Sequence, residues 1–226
     1  EKIQGIMGKV KSRIVPKVKL VGKGVGQDHV VCEQKKIEQT QLAMGIRLFG
    51  KRDKRRYALK VMSAVLGENM SSRLFQIVRE KNGLAYSIHS GSQLLADTGV
   101  LVISAGLDRK RTDKALELIV KELARLKKQS IGKKELNRAK DYVTGQMKLG
   151  MESTSSQMIY AGESIISLGR LISPEEVMAK IRAVSSDDIL SLANTVFKKG
   201  KTSLCVISPD ITDRTAGDFR DTLGGM

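Results

Sequence analysis

Arg79 and Tyr86 stand seven residues apart in the run Ser71-Ser72-Arg73-Leu74-Phe75-Gln76-Ile77-Val78-Arg79-Glu80-Lys81-Asn82-Gly83-Leu84-Ala85-Tyr86-Ser87. The pattern reads as a basic helix end that passes through Asn82-Gly83 into a strand. A guanidinium and a phenol that converge from a helix end and a strand start can both donate hydrogen bonds to one peptide carbonyl. They can equally serve the oxyanion formed when that carbonyl is attacked. Arg79 and Tyr86 are therefore candidate substrate-binding residues, half of a proteolytic site. Singly, each has an ordinary structural use. An arginine at a helix C-terminus complements the helix dipole, and a strand tyrosine is commonly half-buried with its hydroxyl at the surface.

The other half of such a site is a metal or a nucleophile with its base. A catalytic zinc takes three protein ligands, commonly with two histidines on one helix face. This chain offers His29 and His89 only, sixty residues apart, and has neither H-x-x-E-H nor H-x-x-E-x-H. Both histidines read as structural. Cys32 and Cys205 sit in separate apolar, strand-like runs and form no Cys-x-x-Cys pair, so they read as buried free thiols. No Gly-x-Ser-x-Gly elbow is present to activate a serine. The chain alone is expected not to cut peptides.

Several elements have to position Arg79 and Tyr86. Leu42, Met44, Ile46 and Leu48 alternate with Ala43, Gly45 and Arg47, the period of a strand with one buried face. Tyr57 to Leu66 has helical spacing and stops at Gly67, and a second helix is expected from about Ser71 to Glu80. Leu84–Leu94 and Gly99–Leu107 read as a hairpin, with Leu84, Tyr86 and Ile88 on one face. Thr112 to Lys199 is read as helical, with stripes Leu116/Ile119/Val120/Leu123 and Leu136/Ala139/Val143/Met147. Ser173-Pro174-Glu175-Glu176 and Ser185 with Asp188 carry N-cap signals. Ser203–Ile207 returns as a strand. The fold class is α+β, an antiparallel sheet layered against several helices. Residues 1–26 are expected to be a linker or entry segment, with Pro16 and the flexible Gly22, Gly24 and Gly26. Residues 27–208 are expected to be the domain, and 209–226 a polar tail that frays.

The 226 residues are long enough for one large core, and with no Trp that core must rest on aliphatic side chains. A net charge of +16 invites a nucleic-acid reading. The bases are scattered, however, and no aromatics are interleaved for stacking, so no nucleic-acid partner is expected. The single dense run, Lys51-Arg52-Asp53-Lys54-Arg55-Arg56, reads as a solvated turn. No segment has the length of apolar sequence that spans a bilayer, and no membrane partner is expected. Unpaired cysteines lean toward a reducing, cytoplasmic compartment.

Three segments in this order carry a family resemblance: Glu38-Gln39-Thr40-Gln41-Leu42-Ala43-Met44-Gly45, Val65-Leu66-Gly67-Glu68-Asn69-Met70-Ser71-Ser72-Arg73-Leu74-Phe75, and Val78 through Ser87. Together they resemble the non-catalytic C-terminal half of pitrilysin-type zinc peptidases, the family of mitochondrial processing peptidase and many bacterial processing proteases. The match continues through Leu149-Gly150-Met151-Glu152-Ser153-Thr154 and Leu168-Gly169-Arg170, so it covers about residues 31–209. The resemblance implies one half of a clamshell. A zinc-bearing partner half carries H-x-x-E-H with a distal Glu, and this half contributes an Arg and a Tyr that hold substrate. By the match these are Arg79 and Tyr86, and the helix Tyr57–Leu66 takes the place of the zinc helix without offering a ligand. The implied cofactor is zinc on the catalytic half, with none in this chain. The implied partners are that half, in the same polypeptide or a separate subunit, a peptide substrate and a possible homo-oligomer. The same family also supplies non-catalytic core subunits to respiratory complexes, a scaffold alternative.

Overall fold

The computed structural model describes residues 2–11, 19–21, 29–211 and 213–224; the glycines of the 22–26 run and Pro16 lie outside the described residues. Five strands form one mixed sheet: β1 (His29–Gln34), β2 (Thr40–Phe49), β3 (Ala85–Leu94), β4 (Thr98–Leu107) and β5 (Thr202–Ser208), in the order β1-β5-β2-β4-β3. Every pairing is antiparallel except that of β1 with β5, which is parallel. The parallel edge departs from the all-antiparallel expectation. β1 enters beside β5, the last strand, with most of the helices lying between the two in sequence.

The alternation in β2 works as the sequence predicts. Leu42, Met44, Ile46 and Leu48 are buried, while Gln41 and Ala43 face out. The same side is covered in β4 by Leu101, Ile103 and Ala105 and in β5 by Leu204 and Val206. Helices α2 (Arg56–Leu66), α3 (Thr112–Lys128), α7 (Ser186–Val196) and α8 (Asp213–Gly224) close over it, with α4 (Lys133–Gly150) and α6 (Pro174–Ala183) packed behind α2. Helix α5 (Thr154–Leu168) buries only Ser164. Helix α2 is apolar nearly all round and buries a continuous run from Leu59 through Leu66, apart from Lys60, as expected of a helix enclosed on several sides. Among the described residues no helix is long and apolar enough to cross a membrane.

Both predicted caps form. The Ser173 hydroxyl accepts from the Glu176 backbone N–H with Pro174 in the first turn. Ser185 and Asp188 make a reciprocal capping box.

One expectation fails. The C-terminal residues do not fray as a polar tail: α8 buries Phe219 and Leu223 against the body, near α3 and β1. Two large apolar side chains four residues apart, on one face of the helix, outweigh the polar residues between them. The N-terminal stretch contains a short helix, α1 (Lys2–Met7), that buries nothing.

Gly83 connects the helix after α2 to β3, and its φ of +57° lies in the left-handed region. A Cβ there would meet open space, so backbone strain alone sets the cost of substitution. Gly83→Ala is expected to destabilise the chain by about 1 kcal/mol, read as a lower urea midpoint at unchanged m. A midpoint within error of wild type would remove the left-handed requirement.

Candidate functional site

The predicted second helix begins later than Ser71 and is not an α-helix over most of its length. After one turn at Arg73-Leu74 it runs as a π-helix, Phe75–Lys81. Leu74 and Val78 are buried, and the opposite side carries Phe75 and Arg79. The Arg79 guanidinium sits over the Phe75 ring, 4.9 Å from its centre. Such stacking holds a flexible cation in place without neutralising it. No ion pair of Arg79 is formed among the described residues, and its side chain is exposed. Phe75 is thus a positioning residue that motif reading passed over; its signal was the four-residue spacing to Arg79 on one helical face.

The helix ends by local hydrogen bonds that set the exit direction. Asn82 Nδ2 donates to the Ile77 carbonyl at 2.7 Å. The Gly83 and Leu84 N–H groups donate to the Arg79 and Val78 carbonyls, each at 3.0 Å, and Leu84 accepts from Asp108 N–H at 3.1 Å. Leu84, fully buried, pins the joint between the helix that carries Arg79 and the strand that carries Tyr86.

Tyr86 does not share the buried face of Leu84 and Ile88, contrary to the simple alternation. Ala85 pairs with Leu107 and Ser87 with Gly106, so Tyr86 is the extra residue of a β-bulge. A bulge sets two residues against one and re-aims the side chain at that point. Tyr86 and Ser87 are both exposed, Tyr86 to 62%, while Ala85 and Ile88 remain buried. Period-two counting places Tyr86 inside because it has no term for the inserted residue.

The bulge borders the face of the sheet that the helices leave open. Exposed residues there include Gln41 and Ala43 of β2, Val102 and Ser104 of β4, Cys205 of β5 and Val31 of β1. Opposite the bulge, Gly106 lies close under polar side chains: a Cβ would stand 3.0 Å from Gln39 Oε1, 3.2 Å from Ser87 Oγ and 3.7 Å from Gln41 Nε2. Gln39, Gln41 and Ser87 therefore form a patch of amide and hydroxyl groups beside Tyr86. These donors and acceptors match the groups of an extended peptide. The sequence reading did not single them out, and only the Gly106 register assembles them.

Neither histidine joins this cluster. His89 is on the open face of β3 and His29 on that of β1, at opposite edges of the sheet. Four strand spacings of about 4.8 Å separate them, roughly 19 Å in all. Among the described residues no group of three or more His, Cys, Asp or Glu side chains is placed to hold a metal. Both cysteines are free, but Cys205 is exposed and Cys32 half-buried, against the expectation that both are buried. Cys205 takes an outward position in β5 opposite Ala43; Cys32 takes an inward one at an edge strand, where burial pushes its thiol pKa up.

Arg73 anchors the helix that carries Arg79. Its Nε and Nη2 donate to the two carboxylate oxygens of Glu135 on α4 at 2.8 and 2.9 Å. Its Nη1 lies 3.9 Å from Glu122 of α3, which also has Arg125 at 3.6 Å. The bidentate bonds hold the Glu135 carboxyl below the usual glutamate range and Arg73 above its own.

The sequence and the fold are similar to those of known proteins. The chain is 34% identical over 189 residues to an uncharacterised zinc protease of Streptomyces coelicolor, covering 84% of this chain and 41% of that protein. It is 36% identical over 179 residues to an uncharacterised zinc protease of Bacillus subtilis, covering 79% and 44%. The chain thus spans less than half the length of these relatives. In fold it resembles the crystal structure of a peptidase M16 inactive domain from Pseudomonas fluorescens, with TM-score 0.80, 20% identity and coverage of 89% and 48%. It also resembles a chain of complex III from Candida albicans, with TM-score 0.72, 20% identity and coverage of 86% and 49%. The model of the peptidase M16 inactive domain matches residues 1–143, and with that match the chain belongs to the peptidase M16 inactive-domain family.

Proposed function

We propose that this chain is the substrate-gripping half of a zinc metalloendopeptidase, completed by a partner half that carries H-x-x-E-H and the zinc. The observation that carries this reading is the exposed placement of Arg79 and Tyr86 on either side of the Asn82-Gly83 turn. One is stacked on Phe75 near the end of a π-helix and the other, seven residues on, is turned out by a bulge at the border of an uncovered sheet face. Arg79 binds a substrate carboxylate or backbone carbonyl. Tyr86 donates to the scissile carbonyl as negative charge develops there, which is where a fixed donor contributes most. Zinc on the other half supplies the activated water. The free thiols, Cys205 exposed among them, fit a reducing, cytoplasmic setting.

A second reading, a non-catalytic core subunit, draws on the fold likeness to the complex III chain. One experiment separates the two. The assembly that contains this chain is purified from its native source and assayed for zinc and for cleavage of a mixed peptide pool, with and without a chelator. Zinc together with chelator-sensitive cleavage, and none from this chain alone, supports the protease. A stable assembly without zinc or chelator-sensitive cleavage overturns it in favour of the scaffold.

A further inference from the structure

The dense basic run forms the turn that its composition suggests, with Arg52, Lys54 and Arg55 exposed, but its arginines are held in place. Each of its arginines is tied down: Arg52 Nε donates to the Ser167 carbonyl at 3.2 Å, Arg55 makes a two-pronged bond to Asp53 and sits over Phe49, and Arg56 donates to the Lys51 carbonyl and to Tyr57 Oη, each at 2.7 Å. Arg52 and Arg56, bonded to carbonyls and a hydroxyl, keep their charge while losing their freedom, whereas the charge of Arg55 is offset by Asp53. The three arginines line one wall of a cavity of about 580 Å³. The other wall comes from α6 and α7 and the turn before them.

Six cations border this cavity, Arg52, Lys54, Arg55, Arg56, Arg170 and Lys180, against the two carboxylates Glu176 and Asp188. Glu176 is held by Arg170 at 2.8 and 3.0 Å, and Asp188 is used in the α7 capping box, so neither carboxylate is spare. The start of α2 adds nothing further to the positive potential, since the Asp53 carboxylate accepts from the Arg55 backbone N–H there at 2.8 Å. A second cavity of about 410 Å³ shares Arg56 and Tyr57 with the first. Its walls are largely apolar, among them Leu94, Leu168, Ile172 and Ile181, and Tyr160 supplies an aromatic ring.

The geometry points to a binding site for an organic phosphate, its phosphate groups in the cationic cavity and its uncharged body in the apolar one. An excess of guanidinium and ammonium groups suits phosphate oxygens, which accept several charge-assisted bonds at once. An inorganic anion would use only the first cavity. The adjoining aromatic and aliphatic walls add affinity only for a ligand with a base, ring or acyl chain attached. The site lies at the α2–α6–α7 side of the molecule and does not depend on the peptidase reading.

The test is calorimetric titration of the chain at physiological salt with tripolyphosphate, ATP and a lysophosphatidic acid kept below micelle formation. One of the two organic phosphates is expected to bind at 1:1 stoichiometry, roughly tenfold or more tighter than tripolyphosphate; which one does so distinguishes a nucleotide site from an acyl-phosphate site. Lys54→Glu with Lys180→Glu is expected to weaken all binding roughly tenfold or more. Lys133→Glu with Lys134→Glu, an equal change of net charge on α4, is expected to leave it unchanged. Tyr160→Ala should bring the organic ligand down to the tripolyphosphate affinity without altering the latter. Thermal melts without ligand check that each variant folds, and Lys54→Gln with Lys180→Gln replaces the reversal if that fails. Organic phosphates no tighter than tripolyphosphate, equal loss in the α4 control, or no saturation by about 1 mM would each overturn the site.

Discussion

Tyr86→Phe is expected to lower kcat of the assembled peptidase on the order of 100-fold, the scale of losing one fixed donor to a developing oxyanion, while KM changes little. The bulge leaves the phenol exposed and aims it away from the core, so removing its oxygen creates no cavity and leaves no buried group unpaired. A folding defect is therefore a poor alternative explanation, and an unchanged melting temperature would exclude it. Arg79→Ala should act differently. A guanidinium that holds ground state and transition state alike raises KM when removed, by roughly tenfold or more for a lost charged hydrogen bond. Phe75→Leu should reproduce a weaker version of the Arg79 effect, because it removes the ring that holds the guanidinium and keeps the charge. Steady-state kinetics over a substrate series resolves kcat from KM. Equal kcat for wild type and Tyr86→Phe would remove the phenol from the transition state.

The largest stability effect is expected at Arg73. Its side chain is only 10% exposed and faces Glu135 and the 4%-exposed Glu122. Arg73→Met leaves both carboxylates in a low-dielectric setting without their main counter-charge, a loss of about 3–5 kcal/mol for a broken buried pair. In a domain of this size that is a fall in Tm of roughly 6–20 °C. Adding Glu135→Leu and Glu122→Leu to Arg73→Met should recover much of the loss, since the expense lies in the unpaired charges and not in the missing attraction. A Tm within 2–3 °C of wild type for Arg73→Met alone would show that the carboxylates find other partners.

The same pair sets a pH dependence. Hydrogen bonds from Arg73 depress the Glu135 pKa in the folded chain, so the unfolded chain takes up the proton first as pH falls. The stabilisation is complete above the unfolded glutamate value of about 4.3 and disappears as pH drops through the lower folded value. Glu135→Gln should flatten the acid limb of a stability–pH curve in that window and leave the neutral limb parallel to wild type. Because Arg73 opens the helix that ends in Arg79, loosening this anchor should also cost substrate affinity before the domain unfolds.

Much of this molecule was legible in the residues themselves. The burial of Leu42, Met44, Ile46 and Leu48, the stop at Gly67, the Ser173 and Ser185 caps and the left-handed Gly83 follow from local rules. Side-chain alternation, helix capping and φ restrictions act within a few residues, and a sequence displays them directly. The ordered family motifs were also visible, and they indicated a zinc-protease half before any coordinates. What the sequence could not decide depends on partners distant along the chain. The parallel edge between β1 and β5 pairs residues some 170 positions apart, and no local pattern encodes that choice.

The burial of Phe219 and Leu223 required α3 and β1 to be in place, so a polar stretch that looked free became part of the core. The outward turn of Tyr86 came from a register slip against Leu107 and Gly106, and the polar patch of Gln39, Gln41 and Ser87 from the same register. The basic run became one wall of a cavity only when α6 and α7 supplied the other. Residue types and short-range spacing determined which chemistry the chain carries. Strand register and helix packing, set by the burial of side chains that meet only in the folded state, decided where that chemistry faces.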